Sequence, residues 1–130
     1  MLNPETIFVP FVTSDLPAGP WLVFSPHADD ETFGMGGTLI KATAGGLVAH
    51  LVVLTDGALG GEGENLTAVR EEEVTKVALS LGIASLDCWR ERDRSLVPNK
   101  FLLAKTIKKI KEISPAAVFF PGPMELHPDH

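Results

Sequence analysis

Short apolar runs alternate with longer stretches of mixed polarity along most of this chain. The runs are rich in valine, leucine and phenylalanine, which is typical of strands buried on both faces of a sheet. They predict strands over about 21–25, 47–54, 84–88 and 116–120. The mixed stretches carry apolar residues at helical spacing and predict helices over about 34–44, 66–81 and 99–112. Residues 1–20 contain four prolines and predict an irregular N-terminal arm with a short edge strand near 7–9.

The order of these elements predicts a parallel sheet. Successive β-α units place helices on both faces, and crossover connections are right-handed, so we expect the strand order 3-2-1-4. Strand 1 then lies beside strand 4, and the chain reverses direction between them. We therefore predict an α/β fold, a three-layer α/β/α arrangement with a mainly parallel sheet. Its ligand site would lie at the carboxyl edge, at this switch point.

Two short motifs follow the two strands that meet there. Pro-His-Ala-Asp-Asp-Glu occupies residues 26–31, and His-Pro-Asp-His occupies residues 127–130. Three of the four histidines in the chain lie in these motifs. The topology alone therefore predicts a cleft that contains imidazoles and carboxylates.

Those residue types predict a catalytic metal site. His27 and Asp30 are close enough in sequence to reach one ion, and His130 is placed to supply a third ligand. Two histidines and one carboxylate leave positions open for water and substrate. The ion would lower the pKa of a bound water toward ~7 and would polarise a substrate carbonyl. This donor set suits Zn²⁺ and also Fe²⁺.

The other residues of the motifs have candidate roles around the ion. Asp29 is the candidate general base. His127 is placed to stabilise a developing oxyanion or to protonate a leaving amine. Asp129 would orient one of the imidazoles by accepting a hydrogen bond from its second ring nitrogen.

Several further residues have simpler structural explanations. Glu31 stands before the predicted helix start, where the helix dipole favours an acid, so we expect a structural role first. His50 lies inside strand 2 and Cys88 has no basic neighbour in sequence, so both are expected to be packed side chains. The glycine-rich segment 34–37 lacks the full spacing of a dinucleotide-binding loop, which disfavours a nucleotide site.

Composition narrows the class of protein. A chain of 130 residues is one domain at most, and 45% hydrophobic residues indicate a packed core. The net charge of −6 disfavours binding to nucleic acid. One cysteine excludes an intrachain disulfide and fits a reducing, cytoplasmic setting. Neither a signal peptide nor an apolar run long enough to span a membrane is evident.

Taken together, the motifs resemble those of the LmbE-like or PIG-L family of N-deacetylases. The resemblance also covers Thr-Asp-Gly at 55–57, Arg70 with Glu73 one turn later, and Leu-Gly at 81–82. It extends over about residues 20–130 in matching order and spacing. It implies a zinc-dependent enzyme with a Rossmann-like fold that removes an acetyl group from an N-acetylglucosamine unit.

When the motifs are matched position by position, the resemblance implies the same roles that the chemistry of these residues predicts. His27, Asp30 and His130 would be metal ligands, Asp29 the base, and His127 the group that stabilises the transition state.

The resemblance adds Arg70 and Asp93 as residues that hold the sugar. It also shows two departures. The usual second proline of the first motif is Ala28 here, and family members typically run to 200 residues or more. We therefore expect the chain to be a single family domain that lacks its C-terminal part, with an exposed sheet edge that favours homo-oligomers.

The sequence thus predicts a metal-dependent hydrolase that cleaves the amide of an N-acetylated amino sugar. Two alternatives stay open. One is a metal- or sugar-binding fragment without turnover, and the other is a nucleotide-binding domain that uses the segment 34–37.

Overall fold

A computed structural model describes residues 14–61, 64–122 and 126–130. The predicted edge strand near 7–9 lies outside these residues, and residues 14–20 form no helix or strand. From residue 21 onward, the described residues form four strands and three helices in alternation. They are β1 (Trp21–Ser25), α1 (Asp30–Ala44), β2 (Ala49–Thr55), α2 (Leu66–Ser80), β3 (Ser85–Glu91), α3 (Lys100–Ile113) and β4 (Ala117–Phe119).

The four strands form one parallel sheet in the order β3-β2-β1-β4, which confirms the predicted topology. β1 is one of the two inner strands, and all five of its residues are buried. It pairs with β2 on one side and with β4 on the other, Trp21 opposite Ala49 and Ala117. The loops after β1 and β4 therefore leave the sheet side by side.

Alternate residues of the strands contact different helices, as the period of two requires. Trp21 and Val23 pack in one cluster with Leu39 of α1 and Val74 of α2. On the other face, Leu22, Phe24 and Val52 pack with Ile113 of α3. The sheet is thus covered on both faces, which confirms the three-layer α/β/α arrangement.

The predicted start of the first helix, at about residue 34, is wrong by four residues. α1 begins at Asp30, and its cap residue Asp29 accepts backbone hydrogen bonds from Thr32 and Phe33. The glycine-rich segment interrupts the helix instead of starting it, since Met35 has non-helical angles (φ −150°, ψ 19°). The first motif is therefore a helix N-terminus as well as a loop.

The third strand is longer than predicted. β3 continues to Glu91 and includes Arg90, which the sequence pattern placed in a loop. A register shift between Val53 and Thr55 of β2 accompanies this extension, and Arg90 has a left-handed backbone (φ 57°). The loop that carries Asp93 consequently starts after Glu91, three residues beyond the predicted end of the strand.

Candidate metal centre

The loops that follow all four strands meet at the carboxyl edge of the sheet. A cavity of about 300 Å³ lies there. It is lined by residues of both predicted motifs, of the loop after β2, of the start of α2 and of the loop after β3. The predicted site residues that line it are His27, Asp29, Asp30, Arg70, Asp93, His127 and His130.

His27 is the centre of the cluster. Its Nε2 lies 3.2 Å from Asp93 Oδ1 and 3.2 Å from Asp129 Oδ2. Its backbone N–H donates to Asp30 Oδ2 at 2.8 Å. Carboxylates from the start of α1 and from two loops therefore surround His27, and the two loop carboxylates lie 66 and 102 residues away in sequence.

The three histidines of the motifs are brought together as predicted. The ring centroids of His27 and His127 are 4.5 Å apart, and His130 lies 5.5 and 5.2 Å from them. One nitrogen of each ring lies within 4.8 Å of the other two. The two motifs thus bring three imidazoles to one point of the sheet edge.

Asp30 connects His27 with His130. Its Oδ2 lies 3.5 Å from His27 Nδ1 and 3.2 Å from His130 Nε2. These three atoms have the donor chemistry of a two-histidine, one-carboxylate site. His27 would then use Nδ1, while its Nε2–H donates to a carboxylate, the usual arrangement for a metal-bound imidazole. The residues present therefore fit a divalent cation.

The electrostatics of the cluster also favour a cation. The pKa of His27 is raised to about 9. The Asp30 carboxylate is the largest cause, and Asp93 raises the pKa further, while burial of the ring opposes both. Burial alone would raise the pKa of Asp30, but its bonds to His27 and the charge of His130 lower it. Negative charge is thus concentrated here, and a proton on His27 balances part of it.

His127 is distinguished from the other two histidines by its hydrogen bond. Its Nδ1 accepts from the backbone N–H of Asp129 at 3.2 Å. A neutral imidazole has one acceptor nitrogen, so the proton of His127 then sits on Nε2. That nitrogen is a donor and not a ligand, which favours a role toward an oxyanion or a leaving group over metal coordination.

Asp129 joins three loops. Beside its contact with His27, it accepts backbone hydrogen bonds from Arg94 at 2.7 Å and Leu96 at 3.0 Å. Burial would raise the pKa of Asp129, but these hydrogen bonds and His27 lower it. His27 is the imidazole that Asp129 contacts, and the orienting role of Asp129 stays a prediction.

The two predicted sugar-binding residues lie in different surroundings. Arg70 borders the cavity, donates to Glu73 at 3.1 Å and reaches the carbonyl of Gly60 at 3.3 Å. Asp93 is buried, and its Oδ2 accepts from the backbone N–H of Leu59 at 2.8 Å. Asp93 therefore positions His27 and the loop after β2 in addition to facing the cavity.

Two residues near the site were given no role by the sequence. Asp56 Oδ1 accepts from the backbone N–H groups of Ala58 and Asp93, so it connects the loops after β2 and β3. An acid at the end of an apolar strand is the signal that could have found it. Arg94 also lines the cavity, and its backbone is left-handed (φ 56°), which no sequence pattern predicts.

The fold and the site define an α/β protein with a histidine–aspartate cluster at the carboxyl edge of a parallel sheet. The chain belongs to the PIG-L family, whose model, described as GlcNAc-PI de-N-acetylase, matches residues 22–130. This confirms the resemblance seen in the motifs.

Individual relatives agree with that family. The chain is 33% identical to a probable N-acetyl-alpha-D-glucosaminyl L-malate deacetylase 2 of Bacillus anthracis, over 84% of this chain and 53% of the relative. It is similar in structure to an N,N'-diacetylchitobiose deacetylase from Pyrococcus horikoshii (TM-score 0.79, 33% identity, 85% of this chain and 44% of that one). A 4-carboxy-2-hydroxymuconate hydratase from Pseudomonas putida is also similar (TM-score 0.72, 25% identity, 82% and 50%). The chain thus spans about half the length of the relatives it matches.

Proposed function

We propose that this chain provides the metal centre of a hydrolase that removes the acetyl group from an N-acetylglucosamine-type substrate. The observation that carries the proposal is the convergence of Asp30 Oδ2 with ring nitrogens of His27 and His130 at the carboxyl edge. Membership of the PIG-L family and the names of two relatives support the deacetylase reaction.

His27, Asp30 and His130 would hold the ion. Zinc is our choice, since it accepts nitrogen and oxygen ligands in an open tetrahedral site, and Fe²⁺ suits the same donors. A divalent ion bound there would activate water and polarise the amide carbonyl. Asp93 and Asp129 would keep the His27 ring oriented through Nε2.

Asp29 and His127 would move the protons. Asp29 lies next to the ligand Asp30, is exposed and lines the cavity, so its carboxylate can take a proton from the attacking water. His127 carries its proton on Nε2, as its hydrogen bond to Asp129 indicates, so it can donate a hydrogen bond to the developing oxyanion. The proton that Asp29 takes from the water would then pass to the departing nitrogen as the C–N bond breaks. The products would be acetate and a free amine.

Arg70 and Asp93 would bind the sugar. The Arg70 guanidinium borders the cavity, anchored by Glu73 and the Gly60 carbonyl. Asp93 already accepts two hydrogen bonds, but a carboxylate has about four lone-pair sites, so it retains capacity for a sugar hydroxyl.

Some properties of the whole protein also stay proposals. We propose a single domain over residues 1–130, a cytoplasmic location, and self-association through the open edge of β4. None of the helices in the described part of the chain has the length and apolar character needed to cross a membrane.

Metal content per chain is the decisive test. We expect about one zinc or iron per chain in the protein, and loss of that metal in a His27→Ala, Asp30→Ala double variant. The metal-loaded protein should release acetate from N,N'-diacetylchitobiose, and Asp29→Asn should abolish that release while the metal is kept. Failure of the purified protein to take up zinc under saturating conditions would refute the metal centre.

A second candidate is a metal- or sugar-binding unit without turnover. Stoichiometric zinc without acetate release from any N-acetylated sugar would establish it.

A further inference from the structure

Two aspartates join the loops after β2 and β3 in both directions. Asp56, directly after β2, accepts the backbone N–H of Asp93 through Oδ1 at 3.2 Å. Asp93, in the loop after β3, accepts the backbone N–H of Leu59 through Oδ2 at 2.8 Å. Asp56 Oδ1 also accepts the N–H of Ala58 at 3.1 Å, within its own loop. Together these three hydrogen bonds form an aspartate clasp between the two loops.

The backbone at Asp56 is fixed from the strands on both sides. The Asp56 N–H donates to the carbonyl of Glu91 at the end of β3, at 2.8 Å. Thr55 donates to the carbonyl of Pro26 after β1, through its N–H at 3.0 Å and its hydroxyl at 2.8 Å. Residues 58–60 are exposed, so little packing holds them. The position of this exposed segment therefore depends on the carboxylates of the aspartate clasp.

Each loop of the aspartate clasp contacts a residue of the candidate site. In the loop after β3, Asp93 Oδ1 lies 3.2 Å from His27 Nε2. In the loop after β2, the carbonyl of Gly60 accepts from the Arg70 guanidinium at 3.3 Å. Asp56 itself lines the same cavity as His27 and Arg70. A shift of the clasp would therefore displace the partner of the imidazole and the anchor of the arginine together.

We propose that Asp56 is a positioning residue of the metal centre, which acts on His27 through Asp93 and on Arg70 through residues 58–60. The inference rests on the proposed function for its catalytic consequence, but the clasp can be tested without metal. Groups that hold the second nitrogen of a metal-bound imidazole orient the ring, and their loss typically weakens metal binding about 10- to 100-fold. Asp56 acts one contact further from the ring, so we expect an effect at the lower end of that range.

Three variants separate this role from an effect of charge or of the local turn. Asp56→Ser keeps a hydroxyl that can accept from the N–H of Ala58, but its side chain is one bond too short to keep the contact with Asp93. Asp56→Asn keeps an oxygen at the position of Oδ1 and removes only the charge. Glu64→Ser is the matched control, since Glu64 is an exposed acid of the same loop that does not line the cavity.

Amide hydrogen exchange in chelator-treated protein, followed by NMR, measures the clasp directly. Asp56→Ser should accelerate exchange of the Leu59 and Asp93 N–H groups about 10-fold or more. The Leu59 N–H is the informative group, because its acceptor is Asp93 and not the replaced side chain. The ring signals of His27 should shift in the same variant. Asp56→Asn and Glu64→Ser should leave these exchange rates and ring signals close to those of the unchanged protein.

Zinc affinity of the same proteins is measured by competition with a chromophoric chelator. We expect Asp56→Ser to weaken zinc binding about 10-fold, while Asp56→Asn restores most of the affinity and Glu64→Ser leaves it unchanged. If none of the proteins binds zinc, the proposed function fails by itself, and the exchange rates and ring signals still decide the role of Asp56. Unchanged Leu59 exchange and His27 signals in Asp56→Ser, or a zinc affinity equal to that of the unchanged protein, would overturn that role and leave the deacetylase proposal intact.

Discussion

Replacement of Ser25 by alanine should destabilise this protein more than replacement of the acid it supports. Ser25 is 1% exposed at the end of β1, and Glu31 is 2% exposed in the first turn of α1. The Ser25 hydroxyl donates to Glu31 Oε2 and accepts from the Glu31 backbone N–H, both at 2.9 Å. The second carboxylate oxygen accepts from the hydroxyl of Thr32 at 3.0 Å.

Ser25→Ala removes a hydrogen bond to a charged group and leaves a buried N–H without its acceptor. Hydrogen bonds to charged groups contribute about 1.5–3 kcal/mol, and an unsatisfied buried group costs about 1–3 kcal/mol. We expect a loss of about 2–4 kcal/mol in the free energy of unfolding, since the two effects overlap. For a chain of this length that corresponds to a fall in Tm of roughly 6–20 °C.

Glu31→Gln should cost less than about 1 kcal/mol. The amide keeps the shape of the side chain: its oxygen can still accept from Ser25, and its NH2 can donate to the Thr32 hydroxyl once that hydroxyl rotates. It also removes a charge that burial disfavours, as shown by the raised pKa of Glu31. Urea denaturation followed by the fluorescence of the buried Trp21 measures all variants. Ser80→Ala, at an exposed serine of α2, is the matched control and should change stability by less than about 0.5 kcal/mol. A larger loss in Glu31→Gln than in Ser25→Ala would refute the reasoning, because the charge itself would then be required.

Three further outcomes are expected. Lys109→Ala should lower the free energy of unfolding by about 1–3 kcal/mol, because Lys109 is a buried residue whose Nζ lies 2.6 Å from the Asp87 carboxylate. Lys105→Ala should cost under about 0.5 kcal/mol, and urea titration compares the two variants. Gly82→Ala should lower Tm, since Gly82 has φ 70° and a new Cβ would lie 3.0 Å from a threonine side chain; calorimetry would contradict this if Tm were unchanged. Burial, together with the nearby charge of Lys109, lowers the pKa of His50. The neutral His50 ring therefore contributes to stability above pH ~6.5, and this contribution is lost as the pH falls through the lowered pKa. His50→Gln should reduce the loss in free energy of unfolding between about pH 7 and 5. If the unfolding free energy of the variant and of the unchanged protein fell in parallel over this range, the prediction would be wrong.

The sheet topology was predictable because it follows from few rules. Four apolar runs separated by helical stretches, with right-handed crossovers, leave the order 3-2-1-4 with β1 beside β4. That order predicted the meeting of His27 with His127 and His130, which the ring distances confirm. The chemical roles of these residues stay predictions.

The local geometry of the site was less predictable, because long-range contacts decide it. The glycines at 34–37 gave the strongest local signal for a helix start, but the bonds between Ser25 and Glu31 extend the helix back to Asp30. Asp93 was expected only to face substrate. Its contact with His27 depends on the register shift in β2 and on the length of β3, which no local pattern in the sequence indicates.

The Asp129 carboxylate has a consequence for folding kinetics. It joins His27 to the loop after β3, so its contacts close chain segments of 102 and 35 residues. Such closures cost conformational entropy that only the completed sheet repays, so they are expected to form late in folding. The cluster would then exist only in fully folded molecules, and its assembly rate would report the last step of folding and not the formation of the helices.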